Sequence, residues 1–270
     1  MQNSIHKLSE MKAHGEPIVM VTAYDYTSAR IIDDLGFDAI LVGDSLSQVM
    51  LGNDTTIPLT MDEAVHHTKS VVRGATNTHV VSDMPFLSYN SSIDTTLINA
   101  GRLLKEAGAQ SVKLEGGHHI CETVTRLVSC GIPVMGHIGL TPQSIHQIGG
   151  YKVQGKSKRQ ANRLIDEAIA LEQAGAYAIV LELIPAEVSK QITSKLKIPT
   201  IGIGAGIECD GQIQVMHDIL GLFELFTPKH TKQYVNLAKQ MRKGLTEYLG
   251  EVKDKKFPNN SHSFSMQSDS

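Results

Sequence analysis

The 270-residue sequence contains no tryptophan, and aromatic residues make up only 5% of it, so it offers no stacking platform for single-stranded nucleic acid. Its net charge of −3 gives no general attraction to nucleic acid or to an anionic membrane surface. No polyanion partner is implied. Cysteine is scarce as well: Cys121, Cys130 and Cys209 are an odd number without CxxC spacing. That argues against a disulfide framework and against a thiolate metal site, and all three read as reduced structural thiols. No run approaches the ~20 apolar residues of a membrane-spanning helix. The amino terminus, MQNSIHKLSEMKAHGEP, lacks the apolar core of a signal peptide. The expected compartment is the cytoplasm, with neither membrane nor nucleic acid as a partner.

What the sequence has instead is a repeated rhythm of short apolar runs: Pro17–Ala23, Ala39–Gly43, His79–Ser82, Ser111–Leu114, Pro133–Gly136, Ala178–Leu181, Pro199–Gly204 and Ile213–Met216. The last is the weakest, because only a short link separates it from the seventh and the later Leu222–Phe226 is also apolar. Between most runs lie stretches with apolar residues at three- and four-residue intervals, as in Ile93–Ala107, Ile120–Ser129 and Gln160–Ala174, which predict helices. Continuous rather than alternating apolar strands separated by helices mean a parallel sheet covered on its faces. Eight strands in about 250 residues fit a closed (β/α)₈ TIM barrel. A doubly wound open sheet is the alternative, but its dinucleotide-binding form needs GxGxxG after the first strand, and TAYDYTS stands there. The whole chain, 1–270, reads as one barrel domain with a polar, Ser-rich tail from about residue 259. Gly139–Lys156 reads as a long loop after the fifth strand, of the kind that often forms a lid.

In such a barrel the active site lies at the carboxyl ends of the strands, and three acids stand there: Asp44 in AILVGDS, Asp83 in HVVSDMP and Glu115 in SVKLEGG. An unpaired buried charge costs several kcal/mol, so something cationic is expected to meet all three. Mg²⁺, which takes oxygen ligands and keeps positions open for water or substrate, suits them. Each acid alone could instead cap the following helix or turn. Lys113, two residues before Glu115, shares its face of the strand and is a candidate to pair a substrate carboxylate, to form a Schiff base, or to make an internal ion pair. Glu182 ends the sixth strand in AIVLELIP, across the barrel from the second and third strands, and is a candidate general base. His137 ends the fifth strand, either as a donor to substrate or as a supporting histidine. The pairs His66–His67 and His118–His119 carry no signal. The glycines of IGIGAG, after the seventh strand, allow a ligand or a helix end to come close to the backbone.

The motifs VTAYDY, VGDSL, HHT, SDMPF, VKLEGG, GHIGLTPQS, GGYKVQGK, IGIGAG, DGQIQVMHD and FPNNSHSF, in this order and spacing, resemble the 3-methyl-2-oxobutanoate hydroxymethyltransferase (ketopantoate hydroxymethyltransferase) family from about Lys7 to Phe264. The resemblance implies a barrel of the phosphoenolpyruvate/pyruvate type. It implies transfer of a one-carbon unit from 5,10-methylenetetrahydrofolate to 3-methyl-2-oxobutanoate, giving 2-dehydropantoate for pantothenate biosynthesis. The enolate, stabilised by Mg²⁺, would attack the methylene carbon presented as an iminium by the folate. Carried over residue by residue, the metal ligands fall on Asp44, Asp83 and Glu115, the keto-acid contacts on Asp44, Ser45, Asp83 and Lys113, and the catalytic carboxylate on Glu182. It also implies a homo-oligomer of about ten chains with closed symmetry. Three other functions compete: a carbon–carbon lyase on the same fold, disfavoured because His137 rather than a cysteine nucleophile stands at the fifth strand, a metal-free Schiff-base aldolase using Lys113, and a keto-acid-binding protein that would not need Glu182.

Overall fold

The structure is a computed structural model and describes residues 3–266. The chain divides into two compact units, 1–216 and 217–270. In the first, eight parallel strands close into a barrel in sequence order, β8 pairing back to β1. The strands are β1 (Ile18–Thr22), β2 (Ala39–Val42), β3 (His79–Asp83), β4 (Ser111–Glu115), β5 (Val134–Gly139), β6 (Ala178–Glu182), β7 (Thr200–Ile203) and β8 (Gly211–Gln214). The helices are α1 (Ile5–His14), α2 (Tyr26–Asp34), α3 (Leu46–Val49), α4 (Met61–Gly74), α5 (Ile93–Lys105), α6 (Cys121–Ser129), α7 (Ile145–Ile148), α8 (Lys158–Gln173), α9 (Ala186–Lys195), α10 (Met216–Ile219) and α11 (Leu237–Lys253).

The barrel interior follows from strand alternation. Met20, Leu41, Val81, Met135, Val180, Ile201 and Ile213 point inward and pack with Leu8 and Met11 of α1 into one buried cluster. With α1 closing the amino ends of the strands, the carboxyl ends form the open mouth, as the sequence predicts. The three predicted helices fall within two residues of their expected ends.

Two expectations shift. The eighth strand runs over Gly211–Gln214 rather than Ile213–Met216, and Leu222–Phe226 is not a strand. Among the described residues no helix separates β7 from β8, so the outer face of β8 is uncovered. Gln212 is exposed there and the strand does not read as an apolar run. The long loop after β5 is not structureless: it holds a 3₁₀ turn, Pro142–Ser144, and α7.

Asp33, at the end of α2, ties that helix to the lead-in of β3. It accepts from the Asn77 and Thr78 N–H groups, both at 2.8 Å, and from the hydroxyls of Thr76 (2.9 Å) and Thr78 (2.8 Å). Burial works against its charge, but these donors win and hold its pKa far below the usual carboxylate range. Asp33→Ala is expected to cost about 2–4 kcal/mol, because buried donors lose their acceptor. A depressed pKa stabilises the fold above the unfolded value of about 3.9 and loses that contribution as pH falls below it. The wild-type advantage in urea unfolding is therefore expected to be full at pH 7 and to shrink below pH about 4. An advantage that stays constant down to pH 2 would contradict this account.

In the second unit, Asn236 caps α11 by accepting from the Lys239 N–H at 2.8 Å. Met241, Leu245, Tyr248 and Leu249 form an exposed apolar stripe along it. Asn260–His262 is a short 3₁₀ turn. Residues 267–270 of the tail predicted from about residue 259 lie outside the described residues.

Candidate active site

Strand register places the candidate residues side by side. Asp83 on β3 pairs with Lys113 on β4, Glu115 on β4 with His137 on β5, and Gly139 on β5 with Glu182 on β6. Asp44 follows β2 by two residues, and its backbone N–H donates to Asp83 Oδ2 at 2.9 Å. Asp44, Asp83, Lys113, Glu115 and His137 are all buried. The acids that sequence singles out thus share one polar cluster at the mouth of the barrel.

Lys113 is its centre. The ammonium lies 2.9 Å from Asp83 Oδ1, 4.0 Å from Glu115 Oε1 and 3.0 Å from His137 Nδ1. Burial alone would lower its pKa, but Asp83, Glu115 and Asp44 more than compensate and raise it well above the ordinary lysine value. A lysine held as an ammonium is a poor amine nucleophile, which counts against the Schiff-base alternative.

The acids outnumber the cation. Burial, with the charges of Asp83 and Glu115 added to it, pushes the Asp44 pKa up to about 8. Asp83 is also raised by burial, although Lys113 opposes this. For Glu115 burial acts upward too, yet contacts with His137 and Lys113 bring it below its ordinary value. Among the described residues no group of three or more His, Cys, Asp or Glu side chains is spaced to hold a metal ion by itself. The cluster still suits a hard dication in its chemistry, because it consists of buried carboxylate oxygens carrying more negative charge than Lys113 neutralises. Mg²⁺ commonly binds through one or two carboxylates and several waters.

His137 connects this cluster to Glu182, its Nε2 lying 3.2 Å from Glu182 Oε2. Burial and Lys113 press the imidazole towards neutrality, while Glu115 and Glu182 press its pKa up to about 9. Its Nδ1 faces Lys113 at 3.0 Å, while its Nε2 lies beside Glu182 Oε2 outside hydrogen-bond geometry.

Glu182 sits on a bent strand end. The following Leu183 has φ 45°, a region that non-glycine residues rarely adopt. Three backbone bonds pin the bend: the Leu140 N–H donates to the Glu182 carbonyl (2.8 Å), the Gln154 N–H to the Leu183 carbonyl (2.9 Å), and the Leu183 N–H to the Ile203 carbonyl (3.0 Å). Opposite it, Gly139 has φ 98°, and a Cβ there would run into the Glu182 carbonyl oxygen and approach Ile184 Cγ1 to 2.7 Å. Gly139→Ala is expected to displace Glu182 and lower kcat by roughly 10²-fold, the scale of a 1 Å misplacement. Steady-state kinetics beside a melting curve would test this, and a folded variant with wild-type kcat would refute it.

Ser45 hydrogen-bonds Tyr24 through the two hydroxyls at 2.8 Å, and His67 Nδ1 lies 2.7 Å from the Tyr24 carbonyl. His67 therefore supports the Tyr24 segment. In IGIGAG, a Cβ at Gly206 would come within 2.6 Å of Ala186 Cβ, so the glycine admits the first turn of α9. Two residues that sequence reasoning passes over also enter the cluster. Gln143, in GLTPQS, and Tyr89, after β3, are buried and hydrogen-bonded to each other at 2.9 Å. A cavity of about 540 Å³ lies elsewhere, at the amino ends of β1 and β8. Its Lys12 is already paired with Asp210 at 2.7 Å.

A model of the ketopantoate hydroxymethyltransferase family matches residues 2–260. The chain belongs to that family. It is 53% identical over 263 residues to the 3-methyl-2-oxobutanoate hydroxymethyltransferase of Carboxydothermus hydrogenoformans, covering 97% of this chain and 95% of the relative. It is 51% identical over 269 residues to the enzyme of that name from Enterococcus faecalis, covering 100% and 98%. Membership of the family makes the chain a transferase and accounts for all ten sequence motifs together. Among solved structures the fold resembles phosphonopyruvate hydrolase in complex with oxalate and Mg²⁺, at a TM-score of 0.61 and 12% identity over 97% of this chain and 93% of that one. It also resembles 2,3-dimethylmalate lyase, described as a PEP mutase/isocitrate lyase superfamily member, at a TM-score of 0.59 and 15% identity over 96% and 90%. These two likenesses concern the fold alone, a closed eight-stranded parallel barrel.

Proposed function

We propose that this chain transfers a hydroxymethyl group from 5,10-methylenetetrahydrofolate to 3-methyl-2-oxobutanoate, giving 2-dehydropantoate and tetrahydrofolate in pantothenate biosynthesis. One observation carries the reading: in a chain of this family, Asp44, Asp83 and Glu115 are buried around Lys113, and His137 links them to Glu182.

In this reading Asp44, Asp83 and Glu115 hold Mg²⁺, directly or through water, and the excess of buried negative charge supports a dication there. When bound, the cation supplies Lewis-acid stabilisation of the negative charge that develops on the keto acid, worth several kcal/mol. Lys113, kept as an ammonium by its acidic neighbours, pairs with the substrate carboxylate, and Ser45, Asp44 and Asp83 complete the substrate contacts. Glu182 takes the C3 proton and leaves the substrate as an enolate, whose C3 then bonds to the one-carbon unit delivered by the folate. One water enters the overall balance and supplies the hydroxyl oxygen. His137, whose Nε2 lies 3.2 Å from Glu182 Oε2, places a titratable ring beside the base. A mouth that excludes water protects the reactive one-carbon unit from hydrolysis.

Among the described residues no helix is long and apolar enough to cross a membrane; in this reading the enzyme acts on small molecules in the cytoplasm. The exposed apolar stripe of α11 supports assembly into a homo-oligomer, which light scattering would measure directly.

The test follows the C3 proton of 3-methyl-2-oxobutanoate by NMR in D₂O with Mg²⁺ and no folate. Exchange catalysed by the wild type and slowed in Glu182→Gln is the expected result. No catalysed exchange under any divalent ion would count against deprotonation by this site.

A further inference from the structure

We propose that Gln143 is a positioning residue that orients the Asp44 and Glu115 carboxylates for a divalent cation; the inference rests on the reading of these carboxylates as the metal site. Asp44 follows β2 and Glu115 ends β4, so the whole of β3 lies between them. Gln143, from the loop after β5, spans the gap. Its backbone N–H donates to Glu115 Oε2 at 3.0 Å, and its Nε2 donates to Asp44 Oδ2 at 2.9 Å and to the Met84 carbonyl, just past β3, at 3.0 Å. One residue thereby touches the ends of three consecutive strands.

The side chain has no freedom to turn over. Its Oε1 faces the Tyr89 hydroxyl at 2.9 Å, and a flipped amide would set oxygen against the Met84 carbonyl, which has nothing to donate. Tyr89 is itself anchored on β4: its hydroxyl lies 3.2 Å from the Glu115 N–H and 3.1 Å from the Glu115 carbonyl. Both residues are buried, so water does not compete for these bonds. The result is a closed chain from Tyr89 through Gln143 to Asp44, with Glu115 held at its carboxylate by one member and at its backbone by the other. Residues that hydrogen-bond and orient metal ligands in this way typically account for about 10–100-fold in metal affinity. A glutamine that served only to pack the loop would leave metal affinity unchanged.

The test is calorimetric titration of Mn²⁺ into metal-free wild type, Gln143→Met and Tyr89→Phe, with melting curves to establish that each is folded. Gln143→Met keeps the side-chain length and removes the amide, and is expected to weaken Mn²⁺ binding by about 10–100-fold. Tyr89→Phe keeps the ring and is expected to weaken it by a smaller factor. In steady state, the Mn²⁺ concentration for half-maximal activity should rise more than kcat at saturating Mn²⁺ falls. Unchanged or tighter binding by folded Gln143→Met overturns the proposal, and if that variant does not fold, unchanged binding by Tyr89→Phe does so. A wild type that binds no Mn²⁺ overturns the metal-site reading itself, whereas binding that is equal in wild type and variant overturns the role of Gln143 alone.

Discussion

Glu182→Gln is expected to lower kcat by about 10²–10⁴-fold, the range that a positioned general base contributes, while the fold and the divalent-ion affinity stay in place. Glutamine matches glutamate in shape and can keep the 3.2 Å contact with His137 Nε2, but it cannot accept a proton at neutral pH. The loss should therefore fall on kcat, with KM for the keto acid little changed, because the proposed keto-acid contacts, Asp44, Ser45, Asp83 and Lys113, are untouched. Single-turnover kinetics with saturating folate would show the loss in the chemical step. A variant with near-normal kcat would move the proton transfer to another group, and a fall confined to KM would make Glu182 a binding residue.

Lys113→Met is expected to be the most destabilising change at the site. The lysine is only 4% exposed and is the ammonium that faces Asp83 and Glu115. Breaking a buried pair by removing one partner costs about 3–5 kcal/mol, because the remaining charge has no counterpart. For a protein of this size that is a fall in Tm of roughly 6–20 °C. Mg²⁺ should restore part of the loss by binding the folded state alone. Calorimetry in EDTA and in excess Mg²⁺ reads both quantities. If the variant melts with the wild type in EDTA, the lysine does not balance these acids; if Mg²⁺ leaves its Tm unchanged, the acids do not hold the ion.

The barrel was legible because a parallel sheet covered by helices forces its strands to be apolar on both faces, and seven of the eight runs show this directly. β8 escaped because Gln212 faces outward where no helix covers the strand, leaving a polar residue inside the strand. Asp44, Asp83, Glu115, Lys113 and Glu182 were legible for the converse reason: a charge ending an apolar strand stands out, and the barrel rule says where strand ends meet. The state of His137 was not legible, since it depends on which group lies 3.0 Å from Nδ1. Gln143 and Tyr89 were missed because they come from loops, where neither periodicity nor strand position says what a side chain will touch.

The deciding assay is formation of 2-dehydropantoate from 3-methyl-2-oxobutanoate and 5,10-methylenetetrahydrofolate by the purified chain, first as prepared, then in EDTA, then with excess Mg²⁺ restored. Product that disappears in EDTA and returns with Mg²⁺ is the expected result. Product formed equally well in EDTA would contradict the metal-assisted mechanism, and no product under any divalent ion would contradict the proposed reaction.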